Sequence, residues 1–232
     1  CKANKSPQAA KLLSTLADEM LKAKKDIVLA KKLYVLVGLE LERFKKRTLT
    51  TTTVVGATAA QTTAATLDNL MQHDQATGTS KSLDAPWRGA EAVHFLLLAQ
   101  RQLYAGEIVK AMNTAIRLGE YDDVMDPAEV YALIAVTAYY NKHFAVCSKA
   151  FIQLESLKGV SSSVREAYGK LALEIFSRNP PRDPANASKK RVSCPNCSSG
   201  VDSYSTSCGK CGIKFSACVA SGAPIFTHEG VY

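Results

Sequence analysis

Apolar positions recur at helical rather than strand spacing over most of this chain. In residues 7–46, Leu12, Leu13, Leu16, Met20 and Leu21 keep an i, i+3/i+4 rhythm, and Leu29, Leu33, Leu36, Val37, Leu41 and Phe44 resume it. The pattern predicts two helices, or one broken one, with Asp26 as the N-cap of the second. Each has a single apolar stripe and must pack on something. At Thr48 the rhythm stops. Thr50, Thr51, Thr52 and Thr53 run together, and an Ala/Thr/Gly mixture follows. Too few large apolar side chains remain there to offset the entropy of ordering, so residues 48–85 read as a Thr/Ala-rich loop or linker. A short helix fits near Leu67, Leu70 and Met71.

Residues 86–178 return to the helical rhythm. Pro86 suits a first helical turn. Val93, Leu96, Leu97, Leu103 and Tyr104 predict a buried face ending at Gly106, and Ile108, Ala111, Met112, Ala115 and Leu118 predict a second helix stopping at Gly119. Asp126, Pro127 and Glu129 combine N-cap, N1 proline and N3 acid, opening a helix through Tyr131, Ile134, Ala135 and Ala138. Another runs through Phe144, Cys147, Phe151 and Leu154. Ser163 and Glu166 read as a capping box for a last helix through Leu171, Ile175 and Phe176. A shift of thirty-six residues carries Ile108 onto Phe144, Ala111 onto Cys147, Ala115 onto Phe151 and Leu118 onto Leu154. A period in the mid-thirties is that of tetratricopeptide-like hairpins, with an ordinary helical bundle as the alternative. Pro180, Pro181 and Pro184 forbid further helix, so residues 179–191 read as a Pro-rich linker.

Cysteine placement adds chemistry to this helical picture. Of seven cysteines, Cys1 and Cys147 are isolated, while Cys194, Cys197, Cys208, Cys211 and Cys218 crowd into residues 194–218. Nothing here points to the small secreted chain that uses disulfides as its scaffold. Cys194-Pro-Asn-Cys197 and Cys208-Gly-Lys-Cys211 form paired C-x-x-C knuckles, and a short hairpin in the excursion between them returns the second to the first. Four converging thiolates suit a structural Zn²⁺ and close its coordination sphere against catalysis. An iron–sulfur centre is the minor alternative. With few other apolar residues nearby, metal binding would supply this module's folding energy. Cys218 reads as a small buried residue beside Phe215 and Val219. His228 is the other nearby candidate ligand, and His73, His94 and His143 stand singly.

The expected architecture is mostly α: a tetratricopeptide-like α-solenoid of helical hairpins followed by a small four-cysteine zinc ribbon. It divides into a helical hairpin at 1–47, the linker at 48–85, helical repeats at 86–178, the second linker at 179–191 and the zinc-ribbon module at 192–232. A chain of 232 residues has room for one or two domains. It starts at Cys1 rather than Met and reads as part of something longer. No apolar run approaches the ~18 residues of a membrane span. The net charge of +8 is regional: residues 1–47 carry twelve Lys/Arg against five Asp/Glu, whereas residues 87–178 carry ten of each. Lys22, Lys24, Lys25, Lys31 and Lys32 surround apolar positions, as on a solvated helix face.

Several stretches carry a family resemblance. They are Trp87-Arg-Gly-Ala-Glu-Ala, Leu98-Ala-Gln-Arg-Gln-Leu-Tyr104, Cys147-Ser-Lys-Ala-Phe-Ile152, Leu171-Ala-Leu-Glu-Ile-Phe176, Cys218-Val-Ala-Ser-Gly-Ala-Pro-Ile225 and Lys32-Leu-Tyr-Val-Leu36. Together they resemble the C-terminal region of the family of the intraflagellar transport 121 kDa subunit. The resemblance implies a non-catalytic subunit of the intraflagellar transport A complex, serving retrograde transport and membrane-protein trafficking in cilia. It also implies the 122, 139 and 43 kDa subunits as partners, and localisation to the cilium, the ciliary base and the cytoplasm. Contacts with those partners are expected in the helices around Trp87 to Leu118.

Other classes find weaker carriers. No Gly-rich phosphate loop, nucleophile elbow or telling carboxylate pair is present, so an enzyme is not expected. A nucleic-acid-binding zinc ribbon is the alternative, as is another vesicle-coat-like solenoid adaptor. Lys189, Lys190 and Arg191 supply charge for nucleic acid, but Tyr204, Phe215 and Phe226 make a poor stacking platform, so no nucleic-acid partner is expected. A RING-type ligase needs eight interleaved ligands, more than this module offers.

Overall fold

The computed structural model describes residues 6–24, 26–54, 84–181 and 191–226. The predicted short helix near Leu67, the linker positions 55–83 and 182–190, and His73 and His228 lie outside them. The described part is mostly helical: α1 (Ser6–Lys22), α2 (Ile27–Val54), α3 (Ala85–Tyr104), α4 (Ile108–Leu118), α5 (Pro127–Tyr140), α6 (Phe144–Ser156) and α7 (Ser162–Arg178). Short strands follow: β1 (Arg191–Ser193), β2 (Gly200–Asp202), β3 (Ser216–Ala217) and β4 (Pro224–Ile225). No described helix is long and apolar enough to cross a membrane. Two compact units divide between Val93 and His94, within α3.

In the first unit α1 and α2 pack together. Asp26 caps α2 as expected, accepting from Leu29 N–H at 2.8 Å. The inward faces differ from the apolar stripes. Leu12 and Leu16 of α1 and Leu29 and Leu36 of α2 are exposed, while Ala10, Ala17, Ala30, Leu33, Tyr34 and Val37 are buried. Alanines at the crossing let the backbones approach, which turns the larger leucines outward. Tyr34 donates its hydroxyl to the Asp18 carboxylate, joining the two helices. Burial first, and that bond second, push the Tyr34 phenol well above its ordinary range. Trp87 packs over Gly38 and Tyr34 over Gly89; a Cβ on either glycine would lie under 3.0 Å from the ring. This reciprocal pair brings α2 and the start of α3 close. α2 itself runs on to Val54, so residues 48–54, assigned above to the linker, are helical.

The second unit holds the thirty-six-residue repeat. The buried residues of α4 include Ala111, Thr114, Ala115 and Leu118, and those of α6 are Cys147, Ala150, Phe151 and Leu154. Each member of the first set maps onto its counterpart in the second after the shift. The turns repeat as well. Glu107 N–H reaches Gln102 C=O and Gly106 N–H reaches Leu103 C=O; His143 to Ala138 and Lys142 to Tyr139 reproduce both bonds. These are Schellman caps, with Gly106 (φ 76°) and Lys142 (φ 60°) at the left-handed position. Asn141 joins the repeats by donating to Ile108 C=O at 2.9 Å. Asp126 caps α5, accepting from Ala128 N–H at 3.0 Å with Pro127 behind it.

Two local expectations need correction. Tyr104 is 90% exposed rather than part of the buried face, because the inward line of α3 runs Val93, Leu96, Ala99 and then Gln102, a polar side chain only 5% exposed. The cap of α7 is Ser161, not Ser163. Ser161 has extended backbone and accepts from Val164 N–H, while Ser163 already lies inside the helix. Glu166 pairs instead with Lys170 one turn on, at 2.8 Å.

Candidate metal centre

The cysteine module has a very small core. Its hydrophobic cluster is Cys194, Val201, Cys208 and Phe215, with Cys197, Ile213 and Phe226 packed against it. Strands pair across the knuckles themselves, not within the excursion between them. Ser193 pairs with Gly200 around the first knuckle and Ser207 with Lys214 around the second. That corrects the expected hairpin. A knuckle already reverses the chain, so its own flanks are the segments left side by side.

Each knuckle closes in the same way. Cys194 N–H donates to Ser199 C=O at 2.8 Å and Cys208 N–H to Ile213 C=O at 2.9 Å; Ser198 and Gly212 N–H donate back to Cys194 and Cys208 C=O at 2.9 Å. Ser198 and Gly212 take left-handed φ of 55° and 73° to make that return bond.

The four sulfurs of Cys194, Cys197, Cys208 and Cys211 lie within 4.8 Å of one another. Cys194 Sγ is 3.7 Å from Cys211 Sγ, and Cys197 Sγ is 3.6 Å from Cys208 Sγ. A tetrahedron with ~2.3 Å metal–sulfur bonds has edges of about 3.8 Å, whereas a disulfide needs about 2.05 Å. The spacing fits four ligands around one ion and fits no disulfide.

The surroundings favour thiolate at two positions and oppose it at one. The Ser199 hydroxyl lies 2.9 Å from Cys197 Sγ and 3.3 Å from Cys208 Sγ. With backbone N–H groups of Cys211 and Lys210, it draws the Cys208 thiol down to about 5. The same hydroxyl, then the Ser199 N–H, lowers Cys197. Burial pushes Cys194 up to about 11, against N–H donors from Cys197 and Asn196. A cation at the centre of the four sulfurs would supply what Cys194 lacks. Ser199 had no prior signal beyond lying two residues past Cys197.

Cys218 stands outside this set. It is half-buried and Val219 is exposed, which corrects the expectation of a buried packing pair. His94 and His143 are also away from the four sulfurs: His94 Nε2 lies 2.6 Å from Val219 C=O, and the His143 ring meets Tyr204 edge-on at 5.5 Å. Cys147 is buried in α6, where its thiol donates to Ala135 C=O at 3.4 Å.

Comparison with known proteins identifies the helices. A family model described as IFT121-like, TPR repeats, matches residues 84–183, and one described as WD repeat-containing protein 35, TPR repeats, matches residues 1–43. WD repeat-containing protein 35 of Rattus norvegicus is 37% identical over 223 residues, covering 95% of this chain. The Homo sapiens protein of that name is 36% identical over 230 residues, covering 98%. The chain is homologous to the IFT121 family. It spans only 18% of the length of either relative. The IFT121-like match takes in α3 to α7, so the repeat read from periodicity lies in a segment that matches TPR repeats. Such repeats form structural scaffolds whose surfaces bind other chains.

Proposed function

We propose that this chain is a non-catalytic structural part of an intraflagellar transport A subunit, and that it mediates protein–protein assembly for retrograde ciliary transport and ciliary membrane-protein trafficking. The observation carrying this reading is the 37% identity to WD repeat-containing protein 35 of the rat in an alignment that covers 95% of this chain. The partners in this reading are the 122, 139 and 43 kDa subunits of the complex, and the location is the cilium, its base and the adjoining cytoplasm. Apolar side chains left outside on the repeats support a contact role. Tyr104 and Val109 flank the α3–α4 turn, and Tyr140, Ile152 and Leu173 lie further along. A groove of about 360 Å³ beside α7, lined by Tyr139, Phe151, Leu171 and Ile175 among others, offers a further surface.

In the same reading Cys194, Cys197, Cys208 and Cys211 hold one structural Zn²⁺ as thiolates. Four thiolates and one Zn²⁺ add a charge of about −2, lowering the formal +8 to about +6. Zinc makes the module a rigid end to the helical repeat. Pull-down from ciliated cells tests the assembly role, with the chain carrying either intact cysteines or four serines. Recovery of the complex's other subunits by the intact chain is expected, and recovery of none overturns it. Metal analysis of the reduced, folded chain tests the zinc, with one ion per chain expected.

A further inference from the structure

Among the described residues the cysteine module repeats one backbone design three times, not two. Ala217 pairs with Pro224 as Ser193 does with Gly200 and Ser207 with Lys214. In every case a cysteine follows the first member of the pair. Cys218 N–H donates to Ala223 C=O at 2.9 Å and Gly222 N–H returns to Cys218 C=O at 2.7 Å, the same closure as at Cys194 and Cys208. Gly222 takes φ 72° where Ser198 and Gly212 take 55° and 73°. The difference lies in one side chain. Three residues after the cysteine stand Cys197, Cys211 and, in the third copy, Ser221. The third knuckle therefore has the ligand-bearing backbone without the ligand pair.

Its contacts face the helices. Ser221 C=O accepts from Gln102 Nε2 at 3.0 Å, and Gln102 Oε1 accepts from the Thr114 hydroxyl at 2.7 Å. Gln102 and Thr114 are 5% and 0% exposed. Gly222 lies so close that a Cβ there would sit 2.0 Å from Thr114 Oγ1. Val219 C=O meets His94 Nε2, and Phe215 C=O accepts from Arg117 Nη1 at 2.7 Å. Without the knuckle, the buried amide of Gln102 would lose an acceptor in a place with little water. Phe215 links this dock to the four-sulfur centre. It shares one buried cluster with Cys194 and Cys208, its carbonyl accepts from Arg117, and β3 begins at the next residue.

We propose that the Cys218–Ala223 knuckle is a docking knuckle, coupling occupancy of the four-cysteine centre to the α3–α4 hairpin. This rests on the metal reading above. Metal fixes the core around Phe215, Phe215 fixes the third knuckle, and the knuckle completes the Gln102–Thr114 network. Linkage makes the coupling reciprocal, so an intact dock tightens metal binding by the factor with which metal steadies the hairpin.

The test uses the full 232-residue chain. Hydrogen exchange is followed with Zn²⁺ bound and after chelation, and metal content is measured on the same samples. Chelation is expected to speed exchange at residues 94–118 by about tenfold or more. The double variant Thr114→Val with Gln102→Leu replaces the buried pair by apolar groups of similar size. It is expected to bind Zn²⁺ at saturation, to lose the exchange response, and to show affinity weakened by that same factor in competition with a chromophoric chelator. Gly222→Ala attacks the dock from the other side and is expected to act alike. A chain that binds Zn²⁺ but shows unchanged exchange at 94–118 on chelation overturns the coupling and leaves the metal reading standing. Unweakened affinity in both variants overturns it equally. A reduced, folded chain that binds no Zn²⁺ overturns the metal reading, and the coupling with it.

Discussion

The repeat helices and the cysteine module reach order by opposite means. In α4 to α6 the core is aliphatic and aromatic. Met112, Leu118, Val130, Phe151 and Leu154 are buried among alanines, and successive helices pack on one another. The module of residues 191–226 has a hydrophobic core of four residues, and two of them are thiols of the candidate centre. One region is held by area removed from water; the other has little of it, and on the proposed metal reading bonds around a point would hold it. A solenoid can lengthen by adding hairpins, because each supplies its own buried face. A module this small gains little from burial, so the proposed ion would weigh most there.

Metal removal is the largest way to break that comparison. Zinc sites in small modules contribute on the order of 10 kcal/mol to folding. Replacing Cys194 and Cys208 by serine, or chelating the metal, should collapse NMR shift dispersion for residues 191–226 while most helical circular dichroism survives. Joint loss of both signals would show that the two regions do not differ as described. Next in size, Leu118→Ala removes a side chain with 0% exposure, at a cost of about 2–5 kcal/mol. The urea midpoint of the helical transition should fall while zinc stoichiometry stays unchanged.

Cys147 sharpens the contrast between thiols. Burial alone pushes this thiol from 9.0 up to about 11, the reverse of Cys208. A raised folded value means the native state keeps its proton longer than the unfolded chain. The corresponding stability is fully present below pH 9 and is lost as pH rises through about 11. Urea denaturation of Cys147→Ala should show a flatter pH dependence across that window. The smallest effect belongs to the repeated turn. Lys142 takes the left-handed φ that Gly106 takes one repeat earlier, so Lys142→Gly should stabilise the helical unit by about 1 kcal/mol, read as a rise of a few degrees in Tm.

Local chemistry carried much of the fold into view. Asp126 before Pro127, Gly106 and Gly119 act on backbone groups within four residues of themselves, and α3 ends, α4 ends and α5 begins where those signals stand. The paired knuckles are local too, since two residues between thiols bring both sulfurs to one point. Where neighbouring residues could serve equally, the local signal misled: the capping box read at Ser163 gave way to Ser161, two residues earlier, because only Ser161 has the extended backbone of a cap.

What the chain determined by itself, then, was the helical period, the hairpin turns and the four thiols able to share an ion. All of these depend on contacts across a few residues or on a repeat visible as a shift. Only the tertiary structure decided which faces are covered. It turned Leu12 and Tyr104 outward, buried Gln102 and Thr114, and seated a third knuckle over them from more than a hundred residues away. A polar side chain is tolerated in a core only where a partner meets it, and that partner's position is a property of the folded whole.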